Sequence, residues 1–300
     1  MIVHAIDLEL MGTPGVVGAY LIPSNDGHIL VDCGPGATIQ KLYAGISRLG
    51  FETTDVKHLL LTHIHLDHAG AAGQLARELG LTVYVHKHGS SHLLRPERLI
   101  ESATRIYGAM MDVLWGSFES VPEAQLVILE GGETLSISGL EIQALYTPGH
   151  AIHHLAYFVN ESVFSGDVGG VRLQGANHVV APTPPPDIDF DAWRSSIKTL
   201  RNLGAKRILV SHYGEFSDVS NHLGKLENNL NALEQLSLEV MRAGGGREEI
   251  ARRIEILSGE EISSASDSTL PSRYQLATPY LMAADGLVRY WQRKRPEALI

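Results

Sequence analysis

The chain has 300 residues, of which 44% are hydrophobic and 19% are charged, as in a typical globular protein with one core and a small accessory element. Its formal net charge is −10, and its most prominent basic cluster is Arg293-Lys294-Arg295. We therefore expect no nucleic-acid partner, because a phosphate backbone requires a positive surface, and no membrane partner, because no apolar stretch approaches the roughly 18 residues of a membrane helix.

Short strands and helices alternate along the first 215 residues, which predicts an α/β core. The predicted strands are 2–10, 16–22, 28–32, 56–61, 81–85, 140–145, 162–166 and 207–211. The predicted helices are 37–49 and 69–79, where apolar residues recur with helical spacing. No internal repeat or low-complexity segment interrupts this alternation.

Two further stretches fall outside the alternating core. The first, residues 86–122, is predicted to be a helical insertion with one helix over 95–115. Its apolar members would form a lid, a homodimer surface or a simple core face: Leu99, Ile106, Met110, Met111, Leu114 and Trp115. The second, residues 218–300, shows helical patterns at 223–241, 247–257 and 278–294. We expect substrate recognition in these stretches, with Trp115 as one candidate contact, because loops and insertions on a rigid scaffold commonly bind ligands.

The densest chemistry lies in residues 62–68, Thr-His-Ile-His-Leu-Asp-His, directly after the predicted strand 56–61. In an extended chain, His63 and His65 project to the same side. Where the chain then turns into a helix, Asp67 and His68 can face the same cavity. Imidazole nitrogens and carboxylate oxygens are ligands that zinc and similar divalent ions prefer. The string therefore predicts a metal site, with a surface run of histidines as the alternative.

Three more candidate ligands follow apolar strand patterns further along the chain. His150 lies in the turn Thr-Pro-Gly-His after 140–145, Asp167 follows 162–166, and His212 follows 207–211. Each alone is typical of a turn residue or of a hydrogen-bonded core histidine. Together they repeat one arrangement, in which a strand delivers one ligand at its end.

With these motifs the chain resembles the metallo-β-lactamase superfamily of metal-dependent hydrolases. The resemblance rests on the H-x-H-x-D-H string at 62–68, the T-P-G-H turn, Gly166-Asp167, His212, and the early turn at 31–34, and it covers residues 1 to about 215. It implies a four-layer αββα sandwich of two mixed β-sheets with the site at one edge. The implied domains are a catalytic region, 1–217, carrying the insertion, and a helical accessory region, 218–300.

The resemblance also implies a ligand set for two divalent ions. His63, His65 and His150 would hold one ion, Asp67, His68 and His212 the other, and Asp167 would bridge them. Zinc is the expected metal, with iron and manganese as alternatives, because the ligand types suit all three.

Two departures from patterns found within the family exclude some of its activities from our expectation. The only cysteine, Cys33, is not at a ligand position, whereas zinc-dependent β-lactamases of one group use a cysteine ligand. The flavin-partnered di-iron members carry a glutamate where this chain has His65. Antibiotic hydrolysis and di-iron oxygen reduction are therefore not expected.

The function implied is hydrolysis of an ester, thioester or lactone by a metal-bridging hydroxide, as in hydroxyacylglutathione hydrolases and lactonases. Asp167 would bridge the ions, and Asp67 or a water would shuttle the proton. Tyr146 and Tyr213 are candidate oxyanion donors, with simple packing as the alternative. Three other functions stay open: phosphodiester or phosphonate hydrolysis, mononuclear iron oxidation of persulfides, and a non-enzymatic metal-binding sensor.

Supporting roles are expected for residues beside the ligands. Asp32 and His153 would orient ligands from behind, since metal-bound imidazoles are commonly held by a second hydrogen bond. Arg172, five residues after Asp167, is a candidate partner for an anionic substrate group, with a surface ion pair as the alternative.

The compartment follows from the cysteine count and the first residues. One cysteine excludes an internal disulfide, and the first seven residues lack a basic region followed by an apolar core. We therefore expect a cytoplasmic enzyme that acts on a small molecule.

Overall fold

The first sheet consists of six strands from the amino-terminal part of the chain. The structure, a computed structural model, describes residues 1–262 and 267–300. The strands are β1 (His4–Asp7), β2 (Gly18–Ile22), β3 (His28–Val31), β4 (Val56–Leu60), β5 (Thr82–His86) and β6 (Leu126–Leu129), in that spatial order. β1, β2 and β3 pair antiparallel, and β3 to β6 pair parallel, so the sheet is mixed. The central strands are largely buried, as parallel strands covered on both faces usually are.

The second sheet has the order β12-β11-β10-β9-β8-β7. Its strands are β7 (Thr134–Ile137), β8 (Leu140–Tyr146), β9 (Leu155–Val159), β10 (Ser162–Phe164), β11 (Arg207–Val210) and β12 (Gly214–Phe216). Two tight hairpins join β7 to β8 and β9 to β10. Their central residues, Ser138-Gly139 and Asn160-Glu161, all have positive φ, which matches the twist of paired strands.

Helices flank the sheets and fill the carboxyl-terminal part of the chain. They are α1 (Ile39–Arg48), α2 (Leu66–Ala69), α3 (Ala72–Leu79), α4 (Lys87–Leu94), α5 (Glu97–Tyr107), α6 (Met111–Leu114), α7 (Phe190–Asn202), α8 (Val219–Arg242), α9 (Arg247–Ile262), α10 (Leu270–Ala277) and α11 (Tyr280–Arg293). This α/β sandwich of two sheets with a helical extension confirms the predicted fold class.

Several element boundaries differ from the predicted ones for identifiable reasons. The predicted helix 95–115 is wrong as one element. α5 ends at Tyr107, the next residue, Gly108, has a φ of 53°, and a short 3-10 turn separates α5 from α6. The predicted strand 2–10 is wrong at its end, because Glu9 and Met11 have positive φ and the chain turns there. The helix α10 falls outside all three predicted helical patterns of the carboxyl-terminal stretch.

The chain forms two compact units. The first comprises Met1–Tyr146 and His153–Phe164, and the second Thr147–Ile152 and Ser165–Ile300. In the first unit, the phenol of Tyr157 in β9 donates to the carbonyl of Leu61 directly after β4, at 2.9 Å. In the second, the indole of Trp193 in α7 donates to the carbonyl of Val168, also at 2.9 Å. Buried polar atoms on different elements are thus paired, which fixes the elements relative to one another within each unit.

In the described residues, no helix is long and apolar enough to cross a membrane. The proposed domain boundary at residue 217 stays a prediction, as do the homodimer and the cytoplasmic location.

The close approach of α3 to the end of the insertion gives a stability test. A Cβ atom on Gly73 would overlap the carbonyl oxygen of Glu119, whereas one on Gly224 in α8 would meet nothing within 4 Å. We expect Gly73→Ala to lower the free energy of unfolding by about 1–3 kcal/mol through overpacking, although alanine favours helix. Gly224→Ala, the matched control, should raise it by up to about 1 kcal/mol. Urea denaturation measures the stability of both variants. Equal unfolding midpoints would contradict the close approach of the Glu119 carbonyl to Gly73 in α3.

Candidate metal centre

The segment 62–68 gathers four candidate ligands in the first compact unit. It leaves the end of β4, turns, and enters the short helix α2. His63 and His68 are fully buried, and their ring centroids lie 4.0 Å apart. The Nε2 atom of His63 lies 2.9 Å from Nδ1 of His65, and Nε2 of His68 lies 3.6 Å from a carboxylate oxygen of Asp67. The predicted cluster is therefore formed by these four side chains.

The carboxylate of Asp32 hydrogen-bonds to this segment at Thr62 and His68. Its backbone has a φ of 54°, and its side chain is buried. One carboxylate oxygen accepts from the amide of Thr62 at 2.8 Å, and the other lies 2.9 Å from Nδ1 of His68. Because a carboxylate only accepts hydrogen bonds, Nδ1 of His68 carries the hydrogen. In the neutral ring, the lone pair of His68 is then on Nε2, the nitrogen that lies near Asp67.

The second compact unit gathers the other three candidate ligands. His150, Asp167 and His212 are all buried. Nε2 of His150 lies 3.4 Å from one carboxylate oxygen of Asp167, and Nε2 of His212 lies 3.6 Å from the other. A carboxylate with an imidazole beside each oxygen is the arrangement expected of a bridging group.

Glycines allow the tight turns that carry these ligands. Gly149 has a φ of 139° and lies against the backbone of Trp193, where a Cβ would overlap. Gly166, directly before Asp167, has a φ of 48°. Both positions favour glycine, because other residues rarely adopt these backbone angles or would clash with the neighbouring helix.

A backbone carbonyl orients His150. Its Nδ1 atom lies 2.9 Å from the carbonyl oxygen of Pro182, and its ring meets that of Trp193 edge-on at 5.7 Å. A carbonyl oxygen only accepts, so Nδ1 carries the hydrogen and Nε2 carries the lone pair. Both His68 and His150 therefore carry the Nε2 lone pair that a metal ligand needs, and a hydrogen bond from Nδ1 fixes each ring.

The ring of His153 lies beside the rings of His63 and His65. Its Nδ1 atom accepts from the amide of Ile64 at 3.4 Å, and its ring lies 5.5 Å from that of His65. Gly89 in α4 allows this packing, because a Cβ there would lie 3.5 Å from His153 and closer still to Ile64. His153 thus contacts the backbone of the ligand segment.

Arg172 is held by the protein itself. Its guanidinium donates to Asp218 at 2.8 Å and lies over the ring of Phe216, 4.1 Å from the centroid. This hydrogen bond lowers the pKa of Asp218 to about 2. The backbone amide of Arg172 also donates to the carbonyl of His212, at 2.8 Å. The contacts described for Arg172 therefore fasten the chain beside a ligand, and the predicted role in substrate binding stays a prediction.

The two candidate oxyanion donors differ in their surroundings. The ring of Tyr146 stacks on His86 at 4.5 Å, and burial raises the pKa of its phenol. Tyr213 directly follows His212 and is half-buried.

His86, which no sequence motif singled out, is buried at the end of β5. Its Nδ1 atom accepts from the amide of His88 at 3.3 Å. Burial lowers its pKa to about 4, so it is neutral at pH 7. Its position at a strand end was the available signal.

The insertion covers the helix that carries Asp67. Trp115 and Ala103 pack with Leu66 in one buried cluster, and Tyr107 meets Trp115 edge-on at 5.1 Å. Burial and the charge of Asp67 raise the pKa of the Tyr107 phenol. Tyr107 is thus a second residue near the site that sequence reasoning missed, because nothing in a helical apolar pattern separates it from its packing neighbours.

Comparisons with known proteins agree with this architecture. The metallo-beta-lactamase superfamily model matches residues 12–212. His and Asp side chains of the chain form groups that could hold a metal ion. A metallo-beta-lactamase fold-containing protein of Sulfurisphaera tokodaii, ST1585, is 30% identical over 259 residues, which cover 84% of this chain and 93% of that protein. Its crystal structure has a TM-score of 0.61 at 26% identity, covering 77% of this chain and 85% of that chain.

Several relatives have names that state an activity. Hydroxyacylglutathione hydrolase GloC of Haemophilus influenzae is 30% identical over 192 residues, 62% of this chain and 80% of that protein. The atrochrysone carboxyl ACP thioesterase of Aspergillus fumigatus is 23% identical over 239 residues, 79% of this chain and 61% of that protein. Hydrolases are thus among the proteins that this chain resembles along most of its length.

The hydrogen bond from His68 to Asp32 gives a test of the first half of the site. In Asp32→Asn the amide oxygen can still accept from Thr62, but the amide nitrogen would face the Nδ1 hydrogen of His68. We expect His68 to change tautomer and lose its Nε2 lone pair, as an aspartate-to-asparagine change does in a catalytic triad. Zinc affinity, measured by competition with a chelator, should fall about 10–100-fold.

Asparagine tolerates the positive φ at position 32, so the backbone is not the cause of this loss. Asp26→Asn, in an exposed turn, is the control and should bind zinc as the unaltered protein does. An unchanged affinity in Asp32→Asn would show that Asp32 does not orient a ligand.

Proposed function

Because this chain belongs to the metallo-β-lactamase superfamily, we propose that it is a dinuclear metal-dependent hydrolase that cleaves thioesters, with esters and lactones as related substrates. The family membership and the hydrolases among its relatives make it a metal-dependent hydrolase. The observation that carries the finer proposal is a pair of buried imidazoles, His68 and His150, that both present Nε2 while a protein acceptor holds Nδ1.

The proposed ligand set is the one implied by the sequence resemblance. His63, His65 and His150 would hold one ion, Asp67, His68 and His212 the other, and Asp167 would bridge them. Within each compact unit, the approach of His63 to His65, of His68 to Asp67, and of His150 and His212 to the two oxygens of Asp167 supports this division.

The donor set fits divalent ions such as zinc. Five imidazoles and two carboxylates provide nitrogen and oxygen ligands that suit zinc, iron and manganese. His63, His68, His150 and His212 are almost completely buried. Divalent ions would bind these imidazoles together with the carboxylates that lie beside them, Asp67 and Asp167.

Two bound divalent ions would make a water nucleophilic at neutral pH and polarise the carbonyl oxygen of the substrate. The side chains and backbone groups of the protein then have three tasks. Asp32 and the carbonyl of Pro182 keep His68 and His150 in the required tautomer. Asp67, which is partly exposed, is the candidate to accept the proton from the attacking water. Trp115 and its neighbours in the insertion pack against Leu66 in the helix that carries Asp67 and would limit the access of bulk water from that side.

A thioester suits this set of groups for a chemical reason. A thiol has a pKa of about 8.5, so its thiolate leaves without a proton from the enzyme. Within the described residues that surround the ligands, Asp67 is the carboxylate best placed for proton transfer, and it can serve the attacking water alone. The names of GloC and of the thioesterases among the relatives support the same substrate class, since an acylglutathione is itself a thioester.

Metal analysis and a substrate panel test the proposal. Protein loaded with zinc and then desalted should contain about two ions per chain. Among an acylglutathione, a lactone, an aryl ester and a phosphodiester, the acylglutathione should give the highest kcat/KM. One tightly bound iron with oxygen consumption on a persulfide, or the highest kcat/KM on the phosphodiester, would contradict the proposal.

The bridging role of Asp167 has its own test. Asp167→Asn keeps the size of the side chain but removes the charge that two ions would share. We expect kcat/KM for the thioester to fall by more than about 100-fold and the zinc content to drop toward one ion per chain. Asp26→Asn should keep both values. Full activity in Asp167→Asn would show that the bridging assignment is wrong.

A further inference from the structure

The carbonyl of Pro182, which orients His150, belongs to a segment that the carboxyl-terminal helices hold. The hydrogen bond from Nδ1 of His150 to this oxygen is 2.9 Å long and completely buried. Its direction depends on where the backbone of Pro182 lies. Proline has no amide hydrogen, so neighbouring residues must fix that backbone.

On one side of Pro182, helix α8 holds the chain. The amide of Ala181 donates to the side-chain oxygen of Asn229 at 2.9 Å. Asn229 is 9% exposed and lies within α8. A buried asparagine whose oxygen accepts from a backbone amide restricts that backbone, since losing the bond leaves a buried donor unpaired.

On the other side, helix α11 holds the chain. The hydroxyl of Thr183 donates to the carbonyl of Ala283 at 3.2 Å, and Thr183 is fully buried. The carbonyl oxygen of Thr183 approaches α11 at Gly286, where a Cβ atom would overlap it. Glycine at position 286 therefore lets the backbone of residues 183–184 pack directly on the helix.

We propose that Asn229, Thr183 and Gly286 are positioning residues for the metal ligand His150, acting through the carbonyl of Pro182. In this account the helices α8 and α11 are part of the support of the metal centre. Asn229 and Gly286 both lie beyond residues 12–212, the part of the chain that the family model matches. The proposal rests on the proposed function in one respect, that His150 is a ligand.

The geometry explains why helices rather than a loop carry this support. α8 and α11 pack against each other: the indole of Trp291 in α11 donates to the hydroxyl of Ser237 in α8 at 2.8 Å, and both residues are buried. The two sides of Pro182 are thus anchored to helices that are themselves fastened together. A shift of α11 away from residue 183 would move the Pro182 carbonyl and tilt the His150 ring.

Four variants test this inference. Thr183→Val keeps the size of the side chain and removes its hydroxyl, whereas Thr183→Ser keeps the hydroxyl. Gly286→Ala adds a Cβ against the Thr183 carbonyl, and Gly224→Ala adds one in α8 where nothing lies within 4 Å. The measurements are zinc affinity by chelator competition, the NMR signal of the His150 Nδ1 hydrogen in metal-free protein, and the unfolding midpoint.

We expect Thr183→Val and Gly286→Ala to weaken zinc binding at one of the two sites by about 10-fold or more. In both variants the Nδ1 hydrogen of His150 should exchange faster with water and its signal should move upfield. Thr183→Ser and Gly224→Ala should keep the unaltered affinity and signal. Should Gly286→Ala fail to fold, the near-isosteric Thr183→Val carries the comparison.

The inference is overturned if Thr183→Val keeps both the zinc affinity and the Nδ1 signal, or if its zinc affinity falls no further than that of Thr183→Ser. These outcomes are separate from a failure of the proposed function. An unaltered protein that binds two zinc ions and hydrolyses no thioester would contradict the proposed function alone, because the Nδ1 signal and the relative zinc affinities still decide the positioning role.

Discussion

Buried histidines that must present one particular nitrogen are the constraint on which the rest of this structure depends. A neutral imidazole has one N–H hydrogen, so a ring whose Nδ1 donates to the protein necessarily offers Nε2 as an acceptor or a metal ligand. The carboxylate of Asp32 imposes this on His68, and the carbonyl of Pro182 imposes it on His150. The strand ends bring the rings into place, but these acceptors decide which atom each ring presents.

The two regions outside the alternating core serve this constraint in different ways. The insertion packs Trp115 against Leu66, the residue before Asp67 of the proposed ligand set. The carboxyl-terminal helices hydrogen-bond to the residues on both sides of Pro182, whose carbonyl oxygen lies beside His150. Regions that share no motif with the metal-binding strings thus contribute through packing and backbone position, which motifs do not describe.

An α/β core and a metal site could be predicted from the sequence, because apolar strand patterns and the ligand types at their ends are local signals. The two-sheet sandwich and the metal-dependent hydrolase class followed from the family resemblance that those motifs carry. The break at Gly108 was missed, since the apolar spacing continues across it. The acceptor of His150 could not be predicted either: a backbone carbonyl is common to every residue, and Pro182 is 32 residues away along the chain. Tyr107 was hidden for a similar reason, because a tyrosine on an apolar helix face is typical of packing. The roles assigned to individual site residues stay predictions.

The central claim is that seven side chains hold two ions, with Asp167 between them. A crystal structure of the zinc-loaded protein, with anomalous data collected on both sides of the zinc absorption edge, tests it most directly. The account predicts two zinc peaks of similar height, one bonded to Nε2 of His150 and one to Nε2 of His68, each also bonded to Asp167. A single peak, or zinc bonded through Nδ1 of either histidine, would contradict it.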